Sequence, residues 1–293
     1  MADLSLIKQL RDMTQAGFQD CKIAVEKANG NLDQAAKYLR EKGLAKAAKK
    51  AGAIAAEGAI LVRMNDNNAV IVEVNSQTDF AAKNEAFVKL SEDIADSLLT
   101  SSFEDVEAAQ NATISTNETI TTACSQLSGK IGEKITLRRM ARIYKKPEQD
   151  MVIYQHANKK YGAIVLFNTK LDEKLKKQVA MHVVARNPKF ITKEQVDQEW
   201  LDSEKSIIES NSKTSGKPAQ FLSKIIDGKL QKKLAEVCLN EQEFDFEPGM
   251  TVGKIVQANG AKVISFVRYE VGEGIEKKQS NFADEVAEQM GKK

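Results

Sequence analysis

Histidine and cysteine are scarce in this sequence, which has two histidines and three cysteines among 293 residues. Two histidines without nearby partners give no Ser-His-Asp or Cys-His arrangement, and no His/Cys cluster has the spacing of a metal site. Cys21, Cys124 and Cys238 are odd in number and far apart, so we expect free thiols in a reducing compartment. The sequence therefore argues against covalent catalysis and against a bound metal.

A large charge imbalance and long hydrophobic runs are also missing. Lysine and arginine number 43 against 41 acidic residues, and the net charge of +2 gives no general case for nucleic-acid or membrane binding. No apolar run approaches the roughly 20 residues that a membrane helix needs. The first residues lack the basic and apolar regions of a signal peptide. We therefore expect a cytoplasmic protein.

Nucleotide-binding motifs are incomplete wherever they begin. Residues 214–218 contain Gly-Lys but lack the first glycine of a phosphate-binding loop and a strand before it. Gly272 and Gly274 follow a predicted strand, but no third glycine completes a dinucleotide fingerprint. We therefore predict that the protein binds no cofactor.

The composition itself, 42% hydrophobic and 29% charged, is typical of a globular chain with two or three domains.

Residues 1–43 are predicted to form a three-helix domain, since apolar residues recur at helical spacing in three segments. Asn29-Gly30 would stop the second helix, Asn31 would cap the third, and Gly43 would lie just past its end. So small a core indicates a recognition module attached to a larger body. Residues 44–56 are predicted to be a helical linker, whose basic face is interpreted as solvated rather than phosphate-binding.

The rest of the chain repeats one plan. Residues 57–145 are predicted to give a strand over 59–64, a turn, a strand over 69–74, a helix, a second helix and a strand over 134–144. The first helix carries Phe87, Leu90, Ile94 and Leu98; the second carries Ile120, Cys124, Leu127 and Ile131 after a capping box that begins at Ser115. Residues 146–192 with 246–275 repeat the order, with strands over 151–154, 162–167 and 262–270, and Asn168 matches Asn75. We predict an α+β fold of two similar subdomains, each an antiparallel sheet with helices on one face.

Residues 193–245 interrupt the second copy. Two predicted stripes flank a loop at 210–218 that is rich in helix breakers, which is typical of a projecting coiled-coil hairpin used for protein contacts. The stripes are Val196, Trp200, Ser203 and Ile207, then Leu222, Ile226, Leu230, Leu234 and Val237. A last short helix containing Val286, Ala287 and Met290 is predicted within residues 276–293.

The junction between the second strand and the first long helix places an acid beside a large aromatic, at Asp79 and Phe80. Thr78 and Asn84 can each cap a helix there. With Thr78 as the cap, Phe80 falls near the stripe of Phe87 and belongs to the core. With Asn84 as the cap, Asp79 and Phe80 lie on a loop tip, free to enter a partner.

Three segments resemble the bacterial elongation factor Ts family. Residues 78–84, Thr-Asp-Phe-Ala-Ala-Lys-Asn, are similar to its signature, with Ala81 in place of valine. Residues 10–22 resemble its opening Leu-Arg-x-x-Thr-Gly-Ala-Gly-Met-Met-Asp-Cys-Lys, with Gln15 for glycine and Phe18-Gln19 for Met-Met. Residues 268–277 resemble its C-terminal motif, and the loop at 13–18 also resembles that of ubiquitin-associated domains. The resemblance covers nearly the whole chain.

This resemblance implies a nucleotide exchange factor that binds GDP-loaded elongation factor Tu and promotes GDP release, without direct nucleic-acid or membrane contacts. Residues implied to disturb the partner's Mg²⁺ site are Asp79, Phe80, Ala81 and Ala82, with Phe80 as a wedge. Residues implied to bind the partner are Leu10, Met13, Gly17, Phe18, Gln19, Thr78, Lys83, His156, Gly272 and Gly274. In some family members the hairpin supports a homodimer. At His156 the family's Tyr-Gln-His-Gly turn is altered by Ala157.

Other interpretations remain open at this point. Phe18 and Cys21 could simply be core residues, and His182, between apolar neighbours, is interpreted as a packed histidine. A non-catalytic interaction scaffold would bind mainly through residues 1–42 and would be indifferent to changes at Asp79 and Phe80. An RNA-binding protein would have its only support in the arginines at 138, 139 and 142.

Overall fold

A computed structural model describes residues 3–14, 16–213 and 219–276. The N-terminal module has three helices: α1 (Leu4–Thr14), α2 (Phe18–Lys27) and α3 (Leu32–Lys50). Leu10 and Cys21 are buried in its small core. The Asn31 side chain accepts a hydrogen bond from the Gln34 amide at 2.9 Å, which confirms the predicted cap. Gln15 lies outside the described residues.

The first subdomain places helices on one face of a three-stranded antiparallel sheet in the order β1-β2-β3. Its elements are β1 (Glu57–Met64), β2 (Asn68–Ser76), α4 (Asp79–Ala82), α5 (Glu85–Thr100), α6 (Val106–Ala109), α7 (Ile120–Ile131) and β3 (Thr136–Tyr144). Phe87, Ile94 and Leu98 of α5 pack with Ile120 of α7 against the sheet, as their spacing predicted. The four-residue helix α6 was not predicted.

The capping box predicted at Ser115 is wrong, because α7 begins only at Ile120. Thr119 is its N-cap and accepts a hydrogen bond from the Thr122 amide at 3.2 Å. Asn117 adopts a left-handed conformation with φ 61°, and Thr113 bridges to Thr119. These two features close a tight turn where the helix was expected to begin.

The predicted end of α3 before Gly43 is also wrong, because the helix continues through Gly43 to Lys50. Gly43 lies against Gly129 of α7, and a Cβ added at Gly129 would lie 2.2 Å from the Gly43 carbonyl oxygen. Glycine is therefore needed here for the close approach of two helices rather than to end one. This contact fixes the N-terminal module on the first subdomain.

The second subdomain repeats the plan with a sheet in the order β4-β5-β6. Its elements are β4 (Asp150–Gln155), β5 (Tyr161–Phe167), α8 (Glu173–Arg186), the inserted α9 (Gln198–Lys213) and α10 (Ala219–Val237), then α11 (Val252–Ala258) and β6 (Val263–Glu270). Helix α8 ends at Asn187, whose φ of 46° is left-handed, directly before Pro188. The short helix α11 was not predicted.

The inserted helices α9 and α10 pack against each other near their base. Trp200 and Leu201 contact the cluster of Leu234 and Cys238. The predicted seam is wrong farther along α9, since Ile207 is 51% exposed. Ser203 is exposed as well, because the inner face runs instead through Leu201 and Ile208. The side chain of Leu222, residues 214–218 and the predicted last helix lie outside what the structure describes.

The two sheets stack face to face, an arrangement that the sequence did not predict. Ile60, Val62 and Ile71 of the first sheet pack against Ile164 and Leu166 of the second. The opposite faces carry the helices, so the core has four layers: helices, sheet, sheet, helices. Among the described residues, no helix is long and apolar enough to cross a membrane.

Candidate partner-binding site

Both predicted helix caps at the 76–84 junction are used, by two helices in series. The Thr78 hydroxyl accepts a hydrogen bond from the Ala81 amide at 3.2 Å and starts α4. The Asn84 side chain accepts one from the Ala86 amide at 2.9 Å and starts α5. The alternatives were therefore not exclusive, and α4 forms a short separate tip.

Phe80 is 81% exposed, so the interpretation of Phe80 as a core residue is wrong. Phe87, at the start of α5, is fully buried and fills the core beneath the junction. Ala81 points inward with 4% exposure, and Ala82 packs partly against the same core. A large apolar side chain is thus held outward by a tip whose small residues face inward.

The tip also carries a charged pair. The Lys83 ammonium donates to the Asp79 carboxylate at 2.7 Å, and this hydrogen bond lowers the pKa of Asp79. Asp79 keeps 45% and Lys83 keeps 74% of its side chain exposed. An ionised carboxylate and an exposed aromatic are therefore presented side by side.

Glu133, which the sequence analysis did not single out, anchors the tip from below. One carboxylate oxygen accepts the Thr78 amide at 2.9 Å and the other accepts the Thr78 hydroxyl at 2.7 Å. Gly132, left-handed at φ 84°, ends α7 and turns the chain toward Thr78. No motif marks this pairing in the sequence, because 55 residues separate the partners.

A second exposed group lies at the tip of the N-terminal module. Met13 is 60% and Phe18 is 44% exposed, and Gly17 and Gln19 beside them are exposed as well. Phe18 therefore does not belong to the core, whereas Cys21 does. Leu10 is fully buried and supports the tip from inside.

A cleft of about 900 Å³ separates this module from the first subdomain. Met13 and Gly17 line one wall, and Asn84 and Lys89 of the α5 end line the other. The fold thus brings two of the sequence-predicted segments, 10–22 and 75–84, to one cleft.

His156 lies far along the chain, in the β4–β5 turn. Its ring meets those of Tyr154 and Tyr161 edge-on, with centroids 6.3 and 6.1 Å away. The three side chains line a separate depression of about 530 Å³ with Phe246 and Arg268. This surface belongs to the second subdomain.

Two comparisons with known proteins bear on this arrangement. A model of the family described as Elongation factor TS matches residues 77–273, which include the tip and its anchor. Elongation factor Ts of Malacoplasma penetrans (strain HF-2) is 45% identical over 287 residues, covering 98% of each chain. Elongation factor Ts of Mycoplasmoides gallisepticum is 43% identical over 285 residues, covering 97% of this chain and 98% of the relative. This chain belongs to the elongation factor Ts family. It is accordingly a translation elongation factor.

In this family member, Gly272 is half-buried against the first subdomain. Its amide donates to the Glu73 carboxylate at 2.8 Å, and a Cβ added to it would lie 2.3 Å from the Ala56 carbonyl oxygen. Its φ of 75° also favours glycine. Gly274, with φ 76°, continues the same turn beside Arg138. The C-terminal motif therefore attaches the end of the last strand to the first subdomain.

The arginines that supported an RNA-binding interpretation are used inside the elongation factor Ts fold. Arg138 and Arg139 bind the fully buried Glu73 carboxylate at 2.9 and 2.5 Å. Arg142 donates to the Asn68 side chain at 2.6 Å and to the Leu98 carbonyl. The only feature that favoured RNA is thus accounted for by internal contacts.

The packed interpretation of His182 is confirmed. His182 is fully buried, with Asp245 at 3.0 Å from Nδ1 and Gln242 at 3.1 Å from Nε2. Burial lowers the pKa of His182 and outweighs the opposing attraction of Asp245. The ring is therefore part of the second core rather than of an exposed site.

The three thiols lie in the interior of the protein. Cys21, Cys124 and Cys238 are buried and unbridged, and burial raises the pKa of Cys124 to about 12. In residues 3–14, 16–213 and 219–276, no group of three or more His, Cys, Asp or Glu side chains could hold a metal ion.

Proposed function

We propose that this chain is a guanine nucleotide exchange factor that binds GDP-loaded elongation factor Tu and promotes release of GDP, so that GTP can reload. The observation that carries this proposal is Phe80, an aromatic side chain held 81% exposed on an anchored tip within the family's signature segment. A rigid, exposed aromatic is the typical anchor of a protein interface. The chain itself would form no covalent bond.

The energetics require coupling between two ligands of the partner. A nanomolar nucleotide site corresponds to about 12 kcal/mol of binding free energy. The factor must therefore bind the nucleotide-free partner more tightly than the loaded one, and nucleotide must weaken the factor's affinity to the same extent. GTP entry would then release the factor.

The tip would act on the partner's Mg²⁺ site. Mg²⁺ requires near-ideal octahedral geometry and keeps few protein ligands, so a small displacement of those ligands weakens it. Phe80 would displace partner elements by its volume, and the ionised Asp79 would compete near the metal. Ala81 and Ala82 would contribute by packing inward, which keeps the tip narrow and turns Phe80 toward the partner.

Two further surfaces would hold the partner, and a lysine would extend the Phe80 tip. Met13, Phe18 and Gln19, with Gly17, form the exposed N-terminal tip, and Lys83 extends the Phe80 tip. His156 and its two tyrosines would bind a different part of the partner. The buried Leu10 would support the N-terminal tip from inside, and Thr78, Gly272 and Gly274 would complete the partner-binding set that the family resemblance implies.

We infer the domain boundaries from the same arrangement. The two subdomains and the hairpin would follow the ranges predicted from the sequence, in a cytoplasmic protein, whereas α3 joins the partner-binding module to the linker as one continuous helix. The inserted hairpin would act as a coiled coil, and the exposed Ile207 on α9 is consistent with a homodimer contact there.

The test is release of a fluorescent GDP analogue from cognate elongation factor Tu, with the wild type and Phe80→Ala. We expect the wild type to accelerate release and Phe80→Ala to lose about 30-fold or more, the effect of removing a 2 kcal/mol interface anchor. Tyr144→Ala is the matched control, since Tyr144 is a 52% exposed aromatic at the far end of the same sheet. Binding without accelerated release in the wild type would instead indicate an interaction scaffold.

A further inference from the structure

The tip helix α4 is too short to hold its own direction. A four-residue helix is unstable in isolation, because one turn of hydrogen bonds does not offset the cost of fixing its backbone. Its inward side chains, Ala81 and Ala82, are small and bury little apolar area. The orientation of Phe80 must therefore be set mainly by polar contacts.

Those contacts converge on one residue, Thr78. Its amide and hydroxyl both donate to the Glu133 carboxylate, at 2.9 and 2.7 Å. The same hydroxyl oxygen accepts the Ala81 amide at 3.2 Å, so the Glu133 carboxylate and the first turn of α4 are joined through one atom. Two-point hydrogen bonds to a carboxylate are both stronger and more directional than neutral ones.

Two neighbouring bonds support the same junction, one between the two segments and one within the segment after β2. The Gln77 side-chain oxygen accepts the Lys134 amide at 2.9 Å, next to Glu133. The Ser76 hydroxyl donates to the Thr78 carbonyl at 2.9 Å. The chain after α7 thus holds Gln77 and Thr78 by hydrogen bonds, and the Ser76 bond tightens the turn that leads into α4.

We propose that Glu133 is a positioning residue for nucleotide exchange: it fixes Thr78, and through Thr78 the direction in which Phe80 enters the partner. This inference rests on the proposed function. Glu133 would not need to touch the partner; it would keep the wedge in its productive geometry, which matters because small misplacements of a positioned group cost large factors in rate.

A merely structural carboxylate makes a different prediction. If Glu133 only stabilised the fold, Glu133→Gln would lower the unfolding free energy and leave exchange by the folded protein unchanged. If Glu133 positions the wedge, the GDP release rate at saturating factor should fall by about 5- to 10-fold, with the half-saturating concentration within about 2-fold. A fall in the maximal GDP release rate without a change in the half-saturating concentration therefore distinguishes a positioning role of Glu133 from a merely structural one.

The variants use the full-length chain and the fluorescent GDP analogue on elongation factor Tu. Glu133→Gln keeps the shape but replaces one of the two accepting oxygens by an amide nitrogen and removes the negative charge, so the two-point contact with Thr78 is weakened. Thr78→Val keeps the volume but loses the hydroxyl. Thr78→Ser should retain more of the maximal rate than Thr78→Val, since its hydroxyl can make both bonds. The double variant should be no slower than the slower single one, because both changes break one linkage.

Asp105→Asn is the matched control, because Asp105 caps α6 of the same subdomain through the Ala108 amide at 2.7 Å, away from the tip. If Glu133→Gln behaves like Asp105→Asn while Phe80→Ala is slow, the positioning role of Glu133 is overturned and the exchange function stands. If the wild type does not accelerate release, the proposed function itself fails. Should Glu133→Gln not fold, Thr78→Val against Thr78→Ser decides the same question.

Discussion

The two subdomains repeat one strand order, yet they differ at the place where the second strand meets its helix. In the first, eight residues, 76–83, separate Asn75 from the helix cap Asn84. In the second, three residues, 169–171, separate Asn168 from the cap Asp172. The extra residues of the first copy form α4 and hold Phe80 in solvent, whereas the second copy buries Leu171 at this point.

The strands before these junctions match closely. Both middle strands have an irregularity in register, at Glu73/Val74 in the first sheet and at Leu166/Phe167 in the second. In each strand an asparagine lies two residues after the first residue of the irregular step: Asn75 follows Glu73, and Asn168 follows Leu166. Because the scaffold is the same and only the first copy exposes an aromatic at this junction, the fold does not require that exposure. The difference therefore points to a function for the tip.

The largest expected effect comes from removing a charge that the first copy has and the second lacks. Glu73 occupies the place of Leu166, and it is fully buried between Arg138 and Arg139. Glu73→Leu should lower the unfolding free energy by about 3–5 kcal/mol, because both arginines lose their carboxylate. Urea denaturation measures this loss.

The control for Glu73→Leu is Glu92→Gln, which breaks a surface pair with Lys159. We expect a loss below about 1 kcal/mol there, since exposed pairs contribute little. Equal losses for the two variants would show that the buried cluster does not distinguish the copies.

The next prediction compares the two strand–helix junctions: a change in the second should lower stability, and a change in the first should lower exchange activity. Leu171→Ala should lower the unfolding free energy by about 2 kcal/mol, because it leaves a cavity at a buried site. Phe80→Ala should leave that free energy within about 0.5 kcal/mol, because its side chain is already exposed. Urea denaturation and GDP release, measured on the same samples, should rank the two variants in opposite order. The same order in both measurements would contradict the conclusion that the first junction serves function and the second serves the core.

A smaller effect concerns pH. Ten residues beyond their caps, α5 has Ile94 and α8 has His182, both fully buried. Burial lowers the pKa of His182 below its ordinary value of 6.5. The unfolded chain therefore takes up the proton first, and the histidine's contribution to stability is complete above pH 6.5 and declines as the pH falls below it.

Unfolding free energies at pH 7.5 and 5.5 test this assignment. The wild type should be less stable at the lower pH, and His182→Gln should show a smaller decline. Asp245 and Arg186 contact the same site, but the pKa of Asp245 is lowered by Arg186, so this carboxylate titrates below the tested range.

The smallest effect should come from the surface pair on the tip. Lys83→Met breaks the ion pair with Asp79, whose side chains are 74% and 45% exposed. We expect the melting temperature to change by less than about 1 °C, because exposed ion pairs are weak and screened by salt. A larger change in thermal unfolding would mean that the tip is held by its surface charges rather than from below.

Local patterns predicted much of this architecture. The strands were placed to within about two residues, because apolar runs and turn clusters are short-range signals. Helix α6 was missed because four residues are too few to show a period. Gly43 was misread as a stop signal, since a glycine that ends a helix and one that allows a close helix contact look alike in sequence.

The site was predicted in part for the same reason. Asp79 and Phe80 were identified as candidate residues from their sequence, but whether Phe80 was core or tip stayed open. Periodicity could not decide, because Phe80 and Phe87 fall near one stripe. The structure resolved this by placing a helix boundary at Asn84, so that the two aromatics belong to different helices.

The sequence by itself determined the repeated strand order, the helical N-terminal module and the family, because these depend on short-range spacing and on contiguous motifs. Only the tertiary structure decided that the two sheets stack, that Gly272 lies against Ala56, and that Glu133 anchors Thr78. Each of these contacts joins residues far apart in the chain. Their energies depend on which surfaces meet, and local propensity does not encode that.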